Sequence, residues 1–177
     1  IPHCLEAGVD IICAQGTEAG GHTGDISTLV LVPQVADLVS AHDVIVVGAG
    51  GIYDGRGIAA CMALGAEGVW LGSKFIMTPE ANAPPVYKQA IQRSRSDDTM
   101  RTEIYTGRPM RGLVNSYMAQ WEDGRQQEKR DLLAAGTIPF VKELKEGHFP
   151  DNVINPIPMG FTRVHDLPDE AFNTAIS

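Results

Sequence analysis

Three short apolar runs dominate the first half of the chain, and each is followed by a glycine-bearing turn and then by a stretch with helical spacing. The runs cover residues 10–15, 43–47 and 67–71 and are rich in β-branched side chains. Nearly continuous apolar runs of this length are typical of parallel strands buried on both faces. Three consecutive strand–turn–helix units predict an α/β fold with a parallel sheet and right-handed crossovers.

Helical spacing after the turns predicts helices at residues 27–41, 54–64 and 84–93. Ser27 or Thr28 is expected to cap the first of these helices, and Asp54 the second. A proline fits a helix only in its first turn, so Pro33 places the start of the first helix near Leu29 or later. The opening residues, 2–8, are typical of the tail of a further helix that ends on a glycine.

The character of the chain changes beyond residue 93. Lys, Arg, Asp and Glu number 12 in residues 1–92 and 24 in residues 93–177. The five arginines of residues 93–111 indicate a solvated or salt-bridged surface rather than a site. A last strand after residue 98, three helices and a proline-containing tail are predicted; the helices cover residues 113–121, 126–133 and 138–146, and the tail covers residues 150–177.

Composition limits the function classes. A formal charge of -8 and a pI near 5.0 argue against nucleic acid or an anionic membrane as a partner, since both attract a basic face. The three cysteines lack metal-ligand spacing, so we expect no metal, a reducing compartment and a cytoplasmic location. No run reaches the roughly 18 to 20 apolar residues that a membrane span needs.

Residues 14–24, which read Ala-Gln-Gly-Thr-Glu-Ala-Gly-Gly-His-Thr-Gly, carry the candidate chemistry. His22 is expected on a loop just beyond a strand's carboxyl end, where ligands of parallel sheets gather. Glycines let this backbone approach a ligand, and an imidazole can move a proton near neutral pH. A solvated histidine in an ordinary turn is the alternative.

The next two turns predict a phosphate site. Gly50 and Gly51 precede one helix, and Gly72 and Ser73 precede the next. Two adjacent sets of main-chain N–H groups, two helix N-termini and one hydroxyl could grip a phosphate there. The alternative is that these glycines only make tight turns.

These three motifs, residues 14–24, 48–52 and 65–75, together with residues 101–113, resemble the nitronate monooxygenase family, formerly called 2-nitropropane dioxygenases. The resemblance covers roughly the first 80 residues and the segment 101–113. It implies a TIM barrel that binds FMN, with an alkyl nitronate reducing the flavin and dioxygen reoxidising it. Residues 1–112 would then be the C-terminal part of a (β/α)8 barrel, and residues 113–177 a helical extension and tail.

The resemblance also implies roles for individual residues. His22 matches the catalytic base, which either deprotonates a neutral nitroalkane or only binds the nitronate. The positions implied to hold the flavin ring, ribityl chain and phosphate are Gln15, Gly20, Gly21, Gly50, Gly51, Trp70, Leu71, Gly72 and Ser73. Relatives often carry threonine in place of Ser73, and either hydroxyl can donate to a phosphate oxygen. Residues 159–161 are the candidate for a late loop that returns over the flavin.

Two alternatives to a nitronate monooxygenase are kept. One is a flavin-dependent enoyl-thioester (enoyl-ACP) reductase, whose family shares the Glu-x-Gly-Gly-His loop and the barrel. The other is an inactive fragment that binds phosphate or flavin. An eightfold barrel needs about 250 residues, so we expect a preceding half of the barrel and little activity from these 177 residues alone. An exposed apolar face and an open edge at the first strand would favour aggregation.

Overall fold

In the computed structural model, which describes residues 1–148, the chain divides into two compact units, Ile1–Ala81 (unit 1) and Asn82–Ser177 (unit 2). Each unit has its own cluster of buried apolar side chains. The predicted division after residue 112 is of a different kind, because it separates a barrel from a helical extension. That division stays a prediction. The late loop at residues 159–161 and the tail at residues 150–177 lie outside the described residues.

Unit 1 repeats the strand–turn–helix pattern of its sequence. Its elements are α1 (Pro2–Glu6), β1 (Ile11–Gln15), β2 (Gly21–His22), α2 (Thr28–Val39), β3 (Ile45–Ala49), α3 (Gly55–Ala63), β4 (Gly68–Trp70) and α4 (Ser73–Ile76). The predicted strands and helices are confirmed, with shifts of one or two residues at most ends. The short α4 replaces a predicted turn, and His22 lies in the two-residue β2 rather than in a loop.

Strands β1, β3 and β4 form one parallel sheet in that order, which confirms the parallel α/β prediction. The register pairs Gln15 with Ala49, and Ala49 with Trp70. The last residues of the three strands therefore lie in one row. The turns that follow the strands leave the sheet along the same edge.

The two faces of this sheet differ in burial, because neighbouring residues in a strand point to opposite faces. On one face Ile12, Ala14 and Val46 pack with side chains of α2 and α3 such as Val32 and Cys61. The opposite face includes Ile11, Ile45 and Trp70, whose side chains are exposed. One apolar face is thus covered by helices and the other is not, as the sequence predicted.

Helix α2 begins earlier than its proline indicated. Ser27 is the N-cap residue and Thr28 the first helical residue, so Pro33 lies inside the helix. The helix therefore begins one residue before Leu29, and the expectation that Pro33 lies in the first turn is wrong. Burial of Val32, Val35 and Val39 against the sheet favours a continuous helix, although Pro33 has no N–H to donate to the carbonyl four residues earlier.

Unit 2 is described up to residue 148. Its elements are α5 (Pro85–Arg93), a 3₁₀ turn (Ser96–Asp98), β5 (Thr99–Thr102), β6 (Met110–Leu113), α6 (Ser116–Ala119), a π-helical turn (Gln120–Gly124), α7 (Gln126–Ala134) and α8 (Pro139–Glu146). The strand predicted after residue 98 is present, but it pairs antiparallel with β6 instead of joining a parallel sheet. The helix predicted over residues 113–121 begins only at Ser116, because Leu113 belongs to β6 and Asn115 caps α6 through Met118 N–H.

The core of unit 2 surrounds Trp121, which is fully buried together with Met118 and Ile104. The Trp121 indole N–H donates to Glu143 at 3.3 Å, and the Arg125 guanidinium lies 3.6 Å from the centre of the Trp121 ring. Arg125 also donates to Glu143. A buried carboxylate is costly unless it is paired, and here a charged and an uncharged donor both satisfy it.

None of the helices described in residues 1–148 has both the length and the apolar character that a membrane-spanning helix requires.

Candidate functional site

The candidate site lies at the carboxyl ends of β1, β3 and β4 in unit 1. Neighbouring strands of a sheet are about 4.8 Å apart, so turns that leave three paired strands at the same row start side by side. The loop after β1 then crosses the end of β3. Gly16 N–H donates to Ala49 O at 2.9 Å, which ties the loop to β3. Within the loop, Ala19 N–H donates to Gly16 O at 3.1 Å.

The loop and the start of α2 are in unusually close contact at Gly16. A Cβ atom at Gly16 would lie 2.1 Å from Thr28 Oγ1 and 2.3 Å from Thr28 N. Only glycine permits this approach, because part of what a side chain would meet is main chain that cannot rotate away. The approach places the buried Thr28 hydroxyl 2.9 Å from Gly50 O.

Glu18 and Thr28 close the histidine loop. The Glu18 carboxylate accepts hydrogen bonds from Thr28 N–H and from Thr28 Oγ1, each at 2.8 Å. Ser27, the N-cap residue of α2, contributes no side-chain hydrogen bond, so this carboxylate from ten residues upstream acts as the cap. Ser27 therefore occupies the N-cap position as expected, but its side chain does not make the capping hydrogen bond. The segment between the two residues, which contains Gly20, Gly21 and His22, is held as a closed loop.

His22 is half-buried in β2, and its main chain is anchored to β1. Gln15 Nε2 donates to His22 O at 2.5 Å, so the last side chain of β1 fixes the position of the histidine backbone. Gly21, directly before the histidine, has φ +77°, which is strained for any other residue, and a Cβ atom there would meet no atom within 4 Å. Two predicted site residues, Gln15 and His22, are thus brought together.

The turn after β3 also needs its glycines. Gly50 has φ +98° and Gly51 φ +70°. A Cβ atom at Gly50 would lie 3.0 Å from Gly16 O and 3.1 Å from Ala19 N, and one at Gly51 would lie 3.1 Å from the Glu18 side chain. This turn and the loop after β1 therefore pack together as one wall.

Ser73 joins the site from β4. A Cβ atom at Gly20 would lie 3.5 Å from Ser73 Oγ, although β1 and β4 are not neighbouring strands. A Cβ atom at Gly72 would meet nothing within 4 Å. Within residues 1–148 the N–H groups of Gly51, Gly72 and Ser73 donate to no protein acceptor. The two predicted turns therefore offer donors at the same edge, with open space beside Gly72.

From the sequence, the N-terminus of α3 is expected to bind phosphate, but this N-terminus already binds a carboxylate of the chain. Asp54 caps this helix as expected, and its Oδ1 accepts from Arg56 N–H at 3.0 Å and from Gly57 N–H at 3.3 Å. The Arg56 side chain in turn donates to Asp54 Oδ2. The hydrogen bond from the Arg56 side chain and that from Gly57 N–H hold the pKa of the Asp54 carboxyl below its usual value. An added anion would compete with this carboxylate.

Trp70 and Leu71 complete the predicted set. Trp70 lies in the row with Gln15 and Ala49, on the sheet face opposite the helices, and 68% of its surface is exposed. Leu71 follows the strand and is half-buried. The Trp70 indole thus offers a broad apolar surface beside the turn that carries Gly72 and Ser73.

Comparison with known proteins identifies the family. The family model described as nitronate monooxygenase matches residues 3–145. The chain belongs to the nitronate monooxygenase family. This confirms the resemblance drawn from the glycine and histidine motifs.

Relatives within this family are considerably longer. The chain is 41% identical over 136 residues to a probable nitronate monooxygenase of Bacillus subtilis, and 45% identical over 123 residues to one of Staphylococcus saprophyticus. These matches cover 72% and 63% of this chain, but only 38% and 34% of the relatives. The chain therefore spans about a third of the length of these curated relatives.

Solved structures give a likeness over a similar span. FabK from Thermotoga maritima matches with a TM-score of 0.61 at 35% identity, covering 78% of this chain and 47% of FabK. Nitroalkane oxidase from Streptomyces ansochromogenes matches with a TM-score of 0.60 at 39% identity, covering 67% of this chain and 37% of that protein. Both support the α/β fold of this nitronate monooxygenase family member.

Sequence reasoning missed three contributors to this edge. Glu18 and Thr28 contact each other although they are ten residues apart in the sequence. The only sequence signal for this contact was the position of Thr28 at the start of a helix. Lys74 is the third: its ammonium lies 5.6 Å from the centre of the Tyr53 ring. Its place directly after Ser73 was the available signal.

Proposed function

We propose that this chain carries the flavin and substrate residues of an FMN-dependent oxidase of alkyl nitronates that uses dioxygen. The observation that carries the proposal is the approach of Gly20 to Ser73 across the end of β3. It gathers the histidine loop and both glycine turns at one edge of the sheet. Family membership supports a flavin-dependent oxidoreductase, and FMN and the nitronate are the finer proposal.

The residues present fit a phosphate-bearing flavin. The N–H groups of Gly51, Gly72 and Ser73 are available as donors, and the Ser73 hydroxyl adds a fourth. Gly20 and Gly21 leave room for a ring system beside the histidine loop, and Gln15 and Trp70 lie on the sheet face next to it. Gly50 and Leu71 shape the turns. Bound FMN would supply the two-electron acceptor for the substrate.

His22 is the proposed catalytic base. Its imidazole either takes a proton from the carbon next to the nitro group of a neutral nitroalkane, or donates to the oxygens of a nitronate that is already formed. Gln15 holds the His22 carbonyl, and the Glu18–Thr28 contact closes the loop, so the imidazole is carried on an anchored backbone. Comparing nitronates with neutral nitroalkanes separates these two roles.

We further propose that unit 1 is a segment of a (β/α)8 barrel. Three parallel strands carry helices on one face only, and the other face bears exposed apolar side chains. The lengths of the relatives are in keeping with this proposal.

The test uses the longest natural protein that contains these 177 residues. FMN binding is measured by flavin fluorescence, and anaerobic flavin reduction is then followed with a nitronate, with a nitroalkane and with NADH. We expect reduction by the nitronate and reoxidation by dioxygen. If His22 acts as a base, His22→Asn will keep FMN binding and lower the rate with the neutral nitroalkane by about 100-fold or more.

A second candidate function is a flavin-dependent enoyl-thioester reductase, and the likeness to FabK favours it. Rapid reduction by NADH, with none by the nitronate, would establish this candidate and rule out the first. Absence of flavin binding in the intact protein would contradict both. Flavin binding without reduction by either donor would instead indicate a binding fragment.

A further inference from the structure

Unit 1 is strongly acidic and contains few cations. It has only two Lys or Arg residues, Arg56 and Lys74, against nine Asp or Glu residues. Both cations belong to the turns and helix starts that follow β3 and β4. The positive side chains of the unit are therefore concentrated at the edge that carries the candidate site.

The two cations are not equivalent. Arg56 donates to Asp54 through both Nε and Nη2, so its charge is neutralised by a carboxylate of its own helix start. Lys74 forms no ion pair within residues 1–148. Its ammonium lies 5.6 Å from the centre of the Tyr53 ring, which attracts a cation without neutralising it.

The position of Lys74 links the two phosphate turns. Lys74 follows Ser73 directly in α4, whereas Tyr53 lies two residues beyond Gly51 in the turn after β3. The charge of the ammonium also contributes, as the smallest cause, to the lowered pKa of Asp54. The ammonium of Lys74, from the turn after β4, therefore lies over the ring of Tyr53, from the turn after β3.

We propose that Lys74 recognises the charge of the cofactor: its ammonium binds the phosphate monoester of a flavin mononucleotide and so selects it over riboflavin, which lacks that group. This inference rests on the proposed function. A dianion entering an acidic unit is repelled by the carboxylates around it, and main-chain N–H donors bind its oxygens without adding a net positive charge. Lys74 supplies a positive charge for the phosphate, whereas the charge of Arg56 is already neutralised by Asp54.

The test compares two ligands and three variants of the longest natural protein that contains these 177 residues. Dissociation constants for FMN and riboflavin are measured by flavin fluorescence. Lys74→Met removes the charge and keeps the chain length, Lys74→Arg keeps the charge, and Lys145→Met removes a charge from the exposed end of α8 as a matched control. Inorganic phosphate is added as a competitor, and amide NMR signals of Gly51, Gly72 and Ser73 are followed during its titration.

We expect Lys74→Met to weaken FMN binding about fivefold or more, to leave riboflavin binding unchanged and to reduce the competition by phosphate. Lys74→Arg should restore the preference for FMN, and Lys145→Met should match the wild type. FMN binding with an unchanged FMN-to-riboflavin ratio in Lys74→Met would overturn this inference alone. A folded wild-type protein of full natural length that responds to neither FMN nor phosphate would overturn the phosphate site of the proposed function together with it.

Discussion

Among the glycines of the candidate site, Gly16 is the one at which an added Cβ atom would come closest to another residue, Thr28. The Thr28 hydroxyl can donate to Glu18 or to Gly50 O only because Gly16 has no Cβ atom to keep the two segments apart. Glycine at this position is required by the neighbouring backbone. Gly21, Gly50 and Gly51 are required for a different reason, which is their positive φ.

A methyl group at Gly16 is therefore expected to destabilise unit 1. Gly16→Ala would place Cβ within 2.5 Å of three Thr28 atoms, of which two are main chain. Relief requires α2 or the loop to move, so we expect a loss of about 3 kcal/mol in the free energy of unfolding. Urea denaturation followed by circular dichroism measures this loss.

Gly24→Ala is the matched control, because a Cβ atom there meets nothing within 4 Å and Gly24 is not among the positive-φ glycines. Its stability should stay within about 0.5 kcal/mol of the wild type. Equal stability of the two variants would show that the contact between Gly16 and Thr28 is not formed in solution.

At the scale of elements, the start of α3 is a capped helix whose stability depends on pH. The folded-state pKa of Asp54 is lowered, first by the hydrogen bond from the Arg56 side chain. A lowered folded pKa means that the ionised form stabilises the folded state. That contribution is complete above the unfolded pKa of about 3.9 and is lost as the pH falls through the lower folded value.

Asp54→Asn tests this dependence. Asparagine also caps helices but does not ionise, so the variant should be less stable than the wild type at pH 7 and should lose less stability on acidification below about pH 4. Melting temperatures between neutral and acidic pH measure the difference. Parallel curves for the two proteins would contradict a contribution from the charge.

The elements also show which parts of the fold could be predicted from the sequence. Strands β1, β3 and β4 and helix α3 were predicted because short β-branched runs, glycine turns and an Asp cap are local signals. Pro33 predicted a later helix start, but α2 continues through Pro33 because buried contacts with the sheet favour a continuous helix. Only the start of the helix predicted over residues 113–121 is wrong, because Leu113 belongs to β6, which gains its hydrogen bonds from the non-local partner β5.

For the whole chain, the exposed sheet face of unit 1 is the main liability. Ile11 and Ile45 lie opposite each other on that face, with 58% and 44% of their surfaces exposed. Contiguous apolar surface on a sheet favours self-association. Ile45→Thr keeps a β-branched residue in the strand and removes apolar surface, so it should lower self-association measured by sedimentation velocity.

Leu38→Gln is the control for this effect, because Leu38 is 61% exposed but lies on α2 and not on the sheet. It should change self-association less than Ile45→Thr does. If both variants behave alike, general surface hydrophobicity and not the sheet face would be responsible.

The sequence by itself determined the order of the parallel units and the family, and it predicted most residues of the candidate site, because these depend on local spacing and on motifs. Tertiary structure alone decided how those residues meet. The Glu18–Thr28 contact, the approach of Gly20 to Ser73 and the placement of Lys74 over Tyr53 each join residues that are distant in sequence. Such contacts depend on the register of the sheet and the path of the loops, which local patterns do not encode.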